Sequence, residues 1–402
     1  MATKLQGSLH SKDFALAGIY IHIPFCRKAC HYCNFHFSTT LHQKNAVLDA
    51  LLKEIRLGAG IGEIPGSLPL PTHTGQPVIE TIYFGGGTPS LLAPHELSSI
   101  LYEIHRCFPV ADDVECTLEA NPDDINPANL HAWKTMGINR LSLGIQSFRN
   151  EDLTWMNRSH DAEQALRSLD QIAAAGFSNF SADLIYGTPG LTDDAWLEQV
   201  QTLTRRQVPH ISAYALTVEP RTALDTMIRQ GKKEHTDADS QARQFSLLME
   251  AMDSGGYEHY EISNFALPGM RSRHNSAYWS GIPYHGFGPS AHSYDGVSRQ
   301  WNIANNPVYV RALQEGRIPS ENEDLTAMQQ FNEYLMTRLR TAEGLDLDHV
   351  RGKWGDETAE ELSAGASVHI RRGHVALSGN SLVLTREGKL FADGIAADLF
   401  RI

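Results

Sequence analysis

Along this chain, short apolar runs alternate with stretches whose apolar residues recur at helical spacing. The runs fall at 19–24, 78–84, 114–119, 140–146, 180–186 and 211–218. Each is short enough for a strand. Between them, Leu97, Ile100, Leu101, Ile104 and Phe108 fall on one face of a helix predicted over 95–108. Ala165, Leu166, Leu169 and Ile172 do the same over 162–175. Six strands alternating with helices predict parallel β/α units. The period breaks at 58–77, which holds five glycines and four prolines and reads as an inserted loop. From about residue 305 the order changes. A helical pattern at 325–340 and another opening at 345–350 precede two alternating runs around Gly379-Asn380, a hairpin signal, and an amphipathic close over 388–400.

The expected organisation is therefore a disordered lead-in (1–17), a β/α unit (18–305) and a small C-terminal module of helices and a hairpin (306–402), winged-helix-like in order. At 402 residues and 42% hydrophobic content a large core is available. The formal charge of −13 argues against a general nucleic-acid or anionic-membrane binder. The module makes the same point, because residues 318–402 carry nine Lys/Arg against fourteen Asp/Glu, and a DNA-binding module is basic. No apolar stretch is long enough to cross a membrane, and the N-terminus has no apolar signal core, so a cytoplasmic location is expected.

Chemistry enters at the end of the first strand. Cys26, Cys30 and Cys33 stand at C-x3-C-x2-C spacing in a polar setting of Arg27, Lys28, His31 and Asn34, which does not suit a packed helical stripe. Three thiolates can hold three irons of a 4Fe–4S cluster and leave the fourth open to a ligand. Zinc completed by His31 or His36 is the alternative, but no second ligand pair follows. Cys107 and Cys116 sit in apolar periodic segments and read as packing residues. Five cysteines, three of them clustered, make a poor disulfide framework and suit a reducing compartment.

Polar residues break the later strands at their carboxyl ends, where β/α barrels place functional groups. Gly85-Gly86-Gly87-Thr88 ends the second strand, Glu119 the third and Gln146 the fourth, while Asp183 lies within the fifth. Tyr20 and His22 share the face of the first strand opposite its isoleucines, and Tyr32 lies between two of the cysteines. Arg158 is a candidate partner for a carboxylate.

Taken together, Tyr20-Ile21-His22-Ile23-Pro24-Phe25-Cys26, Gly85-Gly86-Gly87-Thr88-Pro89-Ser90, Glu119-Ala120-Asn121-Pro122, Gly144-Ile145-Gln146-Ser147 and Asp183-Leu184-Ile185-Tyr186-Gly187 resemble the radical S-adenosylmethionine (SAM) group that includes oxygen-independent coproporphyrinogen III oxidase (dehydrogenase) and its haem-chaperone relatives. The resemblance implies a partial (β/α)6 barrel, a 4Fe–4S cluster on Cys26, Cys30 and Cys33, and SAM surrounded by Tyr20, Tyr32, Gly87, Thr88, Glu119, Gln146, Arg158 and Asp183. In this group the dehydrogenase carries a further cysteine where this chain has Phe35, and it has a longer N-terminal region. His274-Asn275-Ser276-Ala277-Tyr278-Trp279 is similar to a motif of the chaperone branch. The resemblance thus implies haem as a third ligand, with His274 as its axial donor and His285 and His292 as competitors. It further implies transfer of haem to respiratory haem proteins, some of them at membranes. Oxidative decarboxylation of coproporphyrinogen is the alternative activity.

Overall fold

In a computed structural model, which describes residues 16–60 and 76–401, the strand–helix alternation becomes an open barrel. Residues 1–15 of the expected lead-in and 61–75 of the expected insertion lie outside the described residues. The chain runs β1 (Leu16–Ile23), α1 (Lys44–Gly58), β2 (Val78–Gly86), α2 (Pro94–Cys107), β3 (Val110–Ala120), α3 (Pro127–Thr135), β4 (Arg140–Gln146), α4 (Asn150–Met156), α5 (Ala162–Ala174), β5 (Phe180–Tyr186), α6 (Asp193–Arg205) and β6 (His210–Ala215). These six strands pair in parallel in chain order. The expected sixth run, 211–218, leaves the ladder after Ala215.

Alternation sorts their side chains. Ile19, Ile21 and Ile23 are buried in the layer under the helices, as are Ile82, Phe84, Leu118 and Leu141. The intervening positions face the lumen and are polar: Tyr20 and His22; Thr81 and Tyr83; Glu115, Thr117 and Glu119; Arg140 and Ser142; Ser181 and Asp183; His210 and Ser212.

The sheet is wider than six strands. After α7 (Ala223–Arg229) and α8 (Ala238–Ser254), β7 (Glu258–Glu261) and β8 (Asn264–Ala266) extend it from β6. After α9 (Arg273–Trp279), β9 (Tyr284–Phe287) pairs in parallel with β1. Beyond it β10 (His292–Tyr294), β11 (Ser298–Asn302) and, after α10 (Asn306–Gln314), β12 (Ser320–Asp324) complete a twelve-stranded order, β12-β11-β10-β9-β1-β2-β3-β4-β5-β6-β8-β7. Among the described residues no ladder joins β12 to β7, so the barrel stays open. The six added strands have three to five residues each, too few for alternation to register in a sequence.

The C-terminal module has its own core around Phe331, Leu335, Leu362, Leu382 and Ile395. It contains α11 (Ala327–Leu339), β13 (Leu345–Asp346), α12 (Leu347–Trp354), α13 (Asp356–Arg371), β14 (Val375–Ser378), β15 (Ser381–Leu384) and α14 (Ala392–Leu399). Its three strands form one sheet in the order β13-β15-β14. Helix α10 packs on α1 and places Tyr309 and Leu313 in the barrel's core. Arg340 fastens the module to the barrel, with Nε donating to the buried Glu261 at 2.9 Å. Among the described residues no helix is long and apolar enough to cross a membrane.

Candidate functional site

The cysteine loop leaves the carboxyl end of β1. Gly87 donates its amide to Ile23 O at 2.9 Å and Thr88 donates to Phe25 O at 2.7 Å. This approach leaves no room for a side chain, because a Cβ on Gly87 would stand 2.6 Å from Phe25 O. The loop is pinned from three further sides. Arg27 pairs with Asp124 at 2.6 Å and Asp123 at 3.2 Å. Asn157 Nδ2 donates to Ala29 O at 2.7 Å. The His31 amide donates to Met156 O at 3.1 Å, and His31 O accepts from the Leu224 amide at 2.8 Å.

Cys26, Cys30 and Cys33 are free and half-buried on this loop. They line the mouth of a cavity of about 520 Å³ over the carboxyl ends of the barrel strands. Tyr32, Gly87, Thr88, Glu119, Gln146, Arg158 and Asp183 line the same cavity. Gln146 reaches it through a left-handed residue (φ 68°) at a register shift between β4 and β5, which re-aims its side chain.

Arg158 Nη2 donates to Asn121 Oδ1 at 2.7 Å and Gly144 O at 2.8 Å, and Nη1 lies 3.3 Å from Cys30 Sγ and 3.5 Å from Tyr32 Oη. The guanidinium thus ties the cysteine loop to the ends of β3 and β4 and pairs with no carboxylate among the described residues. Glu119 Oε1 accepts from Tyr83 Oη at 2.9 Å. Burial, reinforced by Asp183, pushes its carboxyl up to about 8 against the opposing Tyr83 hydrogen bond. Asp183 accepts from Ser142 Oγ at 3.1 Å and Ser181 Oγ at 3.3 Å, and burial raises it too. Two carboxyls held up by desolvation in one lumen form a site that a cation or a set of hydroxyls would relieve.

Burial raises the Cys26 thiol and pushes Cys33 up to about 11, so metal binding here would release protons. As they stand, no group of three or more His, Cys, Asp or Glu among the described residues is gathered to hold a metal ion. What fits an iron–sulfur cluster is the donor set, three free thiols on one loop at a cavity mouth. Both imidazoles of the zinc alternative are engaged elsewhere. His31 Nδ1 lies 3.0 Å from Trp155 O, and His36 Nε2 lies 2.8 Å from Asn306 Oδ1.

Two of the expected residues stand behind the cavity wall. Tyr20 Oη lies 3.3 Å from His22 Nδ1, and its ring stacks on Tyr83 at 6.1 Å. His274, the second residue of α9, also stacks on Tyr83, with ring centroids 4.9 Å apart at 28°. Its Nδ1 is 2.8 Å from Thr81 Oγ1, and its amide donates to Glu115 Oε1 at 3.0 Å. Burial, with the Arg140 guanidinium adding to it, pushes the imidazole down to about 3, so it is neutral. His285 stacks on Phe108 and Phe287, and the exposed His292 stacks on Trp301. None of the three histidines lines the cavity, whereas Asn275, next to His274, does. Sequence reasoning passed over Tyr83, Ser142, Tyr214 and Asn275 as wall residues. Tyr83 had a signal, since it lies two residues before Gly85 on the same face of β2.

The profile of the radical SAM superfamily matches residues 72–203, and that of the HemN C-terminal domain matches residues 325–391. The chain is 35% identical over 383 residues to the heme chaperone HemW of Mycobacterium tuberculosis, across 95% of this chain and 94% of that protein. The chain belongs to the HemN–HemW branch of the radical SAM proteins. Another branch member, HemW of Bacillus subtilis, is 32% identical over 379 residues, covering 94% of this chain and 97% of that protein. The structure of Escherichia coli coproporphyrinogen III oxidase (HemN) superposes with a TM-score of 0.79, covering 96% of this chain and 90% of that one at 23% identity. The fold is therefore that of the branch as a whole, a partial parallel barrel with a smaller C-terminal α+β region. In sequence the chain stands nearer to the HemW proteins than to the oxidase.

Proposed function

We propose that this protein is a haem chaperone that binds haem through His274 and hands it to respiratory haem proteins, with a 4Fe–4S cluster and SAM as resident groups. The observation that carries the reading is at the cavity mouth. Two residues after Cys33, where the decarboxylating branch has a further cysteine, Phe35 stands 66% exposed. The extent of similarity to two HemW proteins supports it, and so does the state of His274. That neutral imidazole has Nδ1 committed to Thr81, and Nε2 has no hydrogen-bond partner among the described residues, which would leave Nε2 to bind haem iron.

Cys26, Cys30 and Cys33 would hold the cluster, and SAM would lie against Gly87, Thr88, Glu119, Gln146, Arg158 and Asp183, with Tyr32 at its edge and Tyr20 behind. When bound, the cluster supplies an open iron for the ligand's amino and carboxylate groups and an electron for its sulfonium. Arg158 would hold the cysteine loop against the ends of β3 and β4. Glu119 and Asp183 would accept the ligand's hydroxyls, and by giving up a bound proton Glu119 would balance the ligand's positive charge. The formal charge of −13 opposes adhesion to anionic lipid, so contact with recipients at a membrane would be transient.

The test is an optical haem titration of the anaerobically reconstituted protein, with a coproporphyrinogen dehydrogenase assay on the same sample. Stoichiometric binding that is lost in His274→Ala, without CO2 release, is expected. Release of CO2 with formation of protoporphyrinogen would establish the alternative activity, and absence of haem binding would remove the chaperone reading.

A further inference from the structure

We propose that Tyr83 is the positioning residue through which a ligand in the cavity acts on His274, so that the sulfonium ligand and haem bind cooperatively. The inference rests on the haem-chaperone reading and adds a means of regulation to it.

Tyr83 is a wall residue of the cavity and His274 is not, so the phenol ring is the partition between them. On the cavity side its hydroxyl donates to Glu119 Oε1 at 2.9 Å. On the other side its face lies 4.9 Å from the imidazole, at 28°. Two further contacts of His274 are held by the barrel. Thr81, two residues earlier on β2, holds Nδ1 at 2.8 Å. Glu115, paired in register with Thr81 on β3, is buried and accepts the amides of Arg273 at 3.1 Å and His274 at 3.0 Å. The start of α9 is therefore clamped from two strands. The side-chain contact of His274 that leads to a cavity-lining carboxylate is the Tyr83 ring.

Glu119 is the carboxylate a cationic or hydroxyl-bearing ligand would engage, and it shares its Oε1 with Tyr83. A ligand that fixes Glu119 also fixes the hydroxyl and hence the ring on which the imidazole rests. Haem arriving afterwards orders fewer groups and binds more tightly. Linkage makes the effect reciprocal, since haem must tighten the sulfonium ligand by the same factor.

The experiment uses full-length, anaerobically reconstituted protein with the cluster oxidised and no reductant, so that SAM is not consumed. Haem is titrated optically with and without saturating SAM, and SAM is titrated calorimetrically with and without haem. Wild type is expected to bind haem about five- to tenfold more tightly with SAM present, with the same factor in the reverse experiment. In Tyr83→Phe the ring stays and the hydroxyl goes. Both ligands should still bind, and the factor should fall to about one. Iron content and far-ultraviolet circular dichroism show whether the variant is intact, and Glu119→Gln, which alters the other partner of the same bond, must lower the factor as well. Wild-type haem affinity that SAM does not move, or a Tyr83→Phe factor equal to wild type, overturns the proposal while leaving the chaperone reading in place. Wild type that binds no haem with or without SAM removes both.

Discussion

The barrel lumen and the C-terminal module treat polar groups in opposite ways. The lumen buries Glu115, Thr117, Arg140, Ser142, Ser181, His210 and Ser212. In the described part of the module the buried polar residues are Thr341, Thr358 and His369. Many of its charges lie in water, as where Arg351 meets Asp348 at 2.5 Å and Asp356 at 3.2 Å with all three side chains exposed. Burying a charge costs several kcal/mol unless it is paired, while an exposed ion pair is worth about 0–1 kcal/mol either way. A chain carries the first cost where a ligand is to be met and avoids it where a core only has to hold. The module's acidic surface, with nine Lys/Arg against fourteen Asp/Glu over 318–402, fits a docked structural unit and not a DNA reader.

The sharpest separation of the two regions comes from Cys26→Ser. Removing one of three thiols should drop iron and sulfide from stoichiometric to background in the reconstituted protein. The melting temperature of the cofactor-free chain should move by only about 2 °C, since the loop is half-buried and otherwise unchanged. Retention of iron and sulfide would show that the thiols are not the ligands.

Leu335→Ala reverses the pattern. Leu335 is fully buried in the module's core, and its truncation should cost about 2–5 kcal/mol. Hydrogen exchange should quicken across α11 to α14, with iron content intact. Equal loss of protection in β1 to β6 would show that the two cores melt as one and break the comparison.

The smallest effect concerns pH. Glu119 is held up to about 8 by burial, against about 4.3 in an unfolded chain. Between those values the unfolded chain has released a proton that the folded chain keeps. The stability of the cofactor-free protein therefore falls as pH rises through that window and is fully reduced above about 8. Glu119→Gln removes the penalty. Its advantage over wild type should be near zero at pH 4.5 and grow steadily up to pH 8.5, read from melts at several pH values. SAM affinity should rise with pH in wild type and stay flat in the variant. A constant difference between the two proteins would mean that the carboxyl is ionised throughout.

Legibility in the sequence followed element length and side-chain type. β1 to β6 have six to eleven residues, enough for alternation to show. β7 to β12 owe their pairing to neighbours contributed from elsewhere in the chain, and so left no pattern. Glu119, Gln146 and Asp183 stood out because a polar residue in or ending an apolar run is conspicuous. Tyr83 did not, because an aromatic ring within a strand looks like core. His274 was conspicuous through its motif, but its place behind Tyr83 was not, since that depends on α9 coming to rest against β2 and β3, with His274 193 positions from Thr81 in sequence.

Alternation and the spacing of three cysteines were enough to determine a parallel β/α unit, a thiol-bearing loop after its first strand and polar groups around the strand ends. These are local properties, set by the two-residue period of a strand and by residue chemistry over a few positions. The tertiary structure decided which of those groups share one cavity, which carboxyls are desolvated enough to hold a proton, and which ring stands between the cavity and His274. Each of these depends on distances between strands that are far apart in sequence, and burial arises only when the faces close on one another.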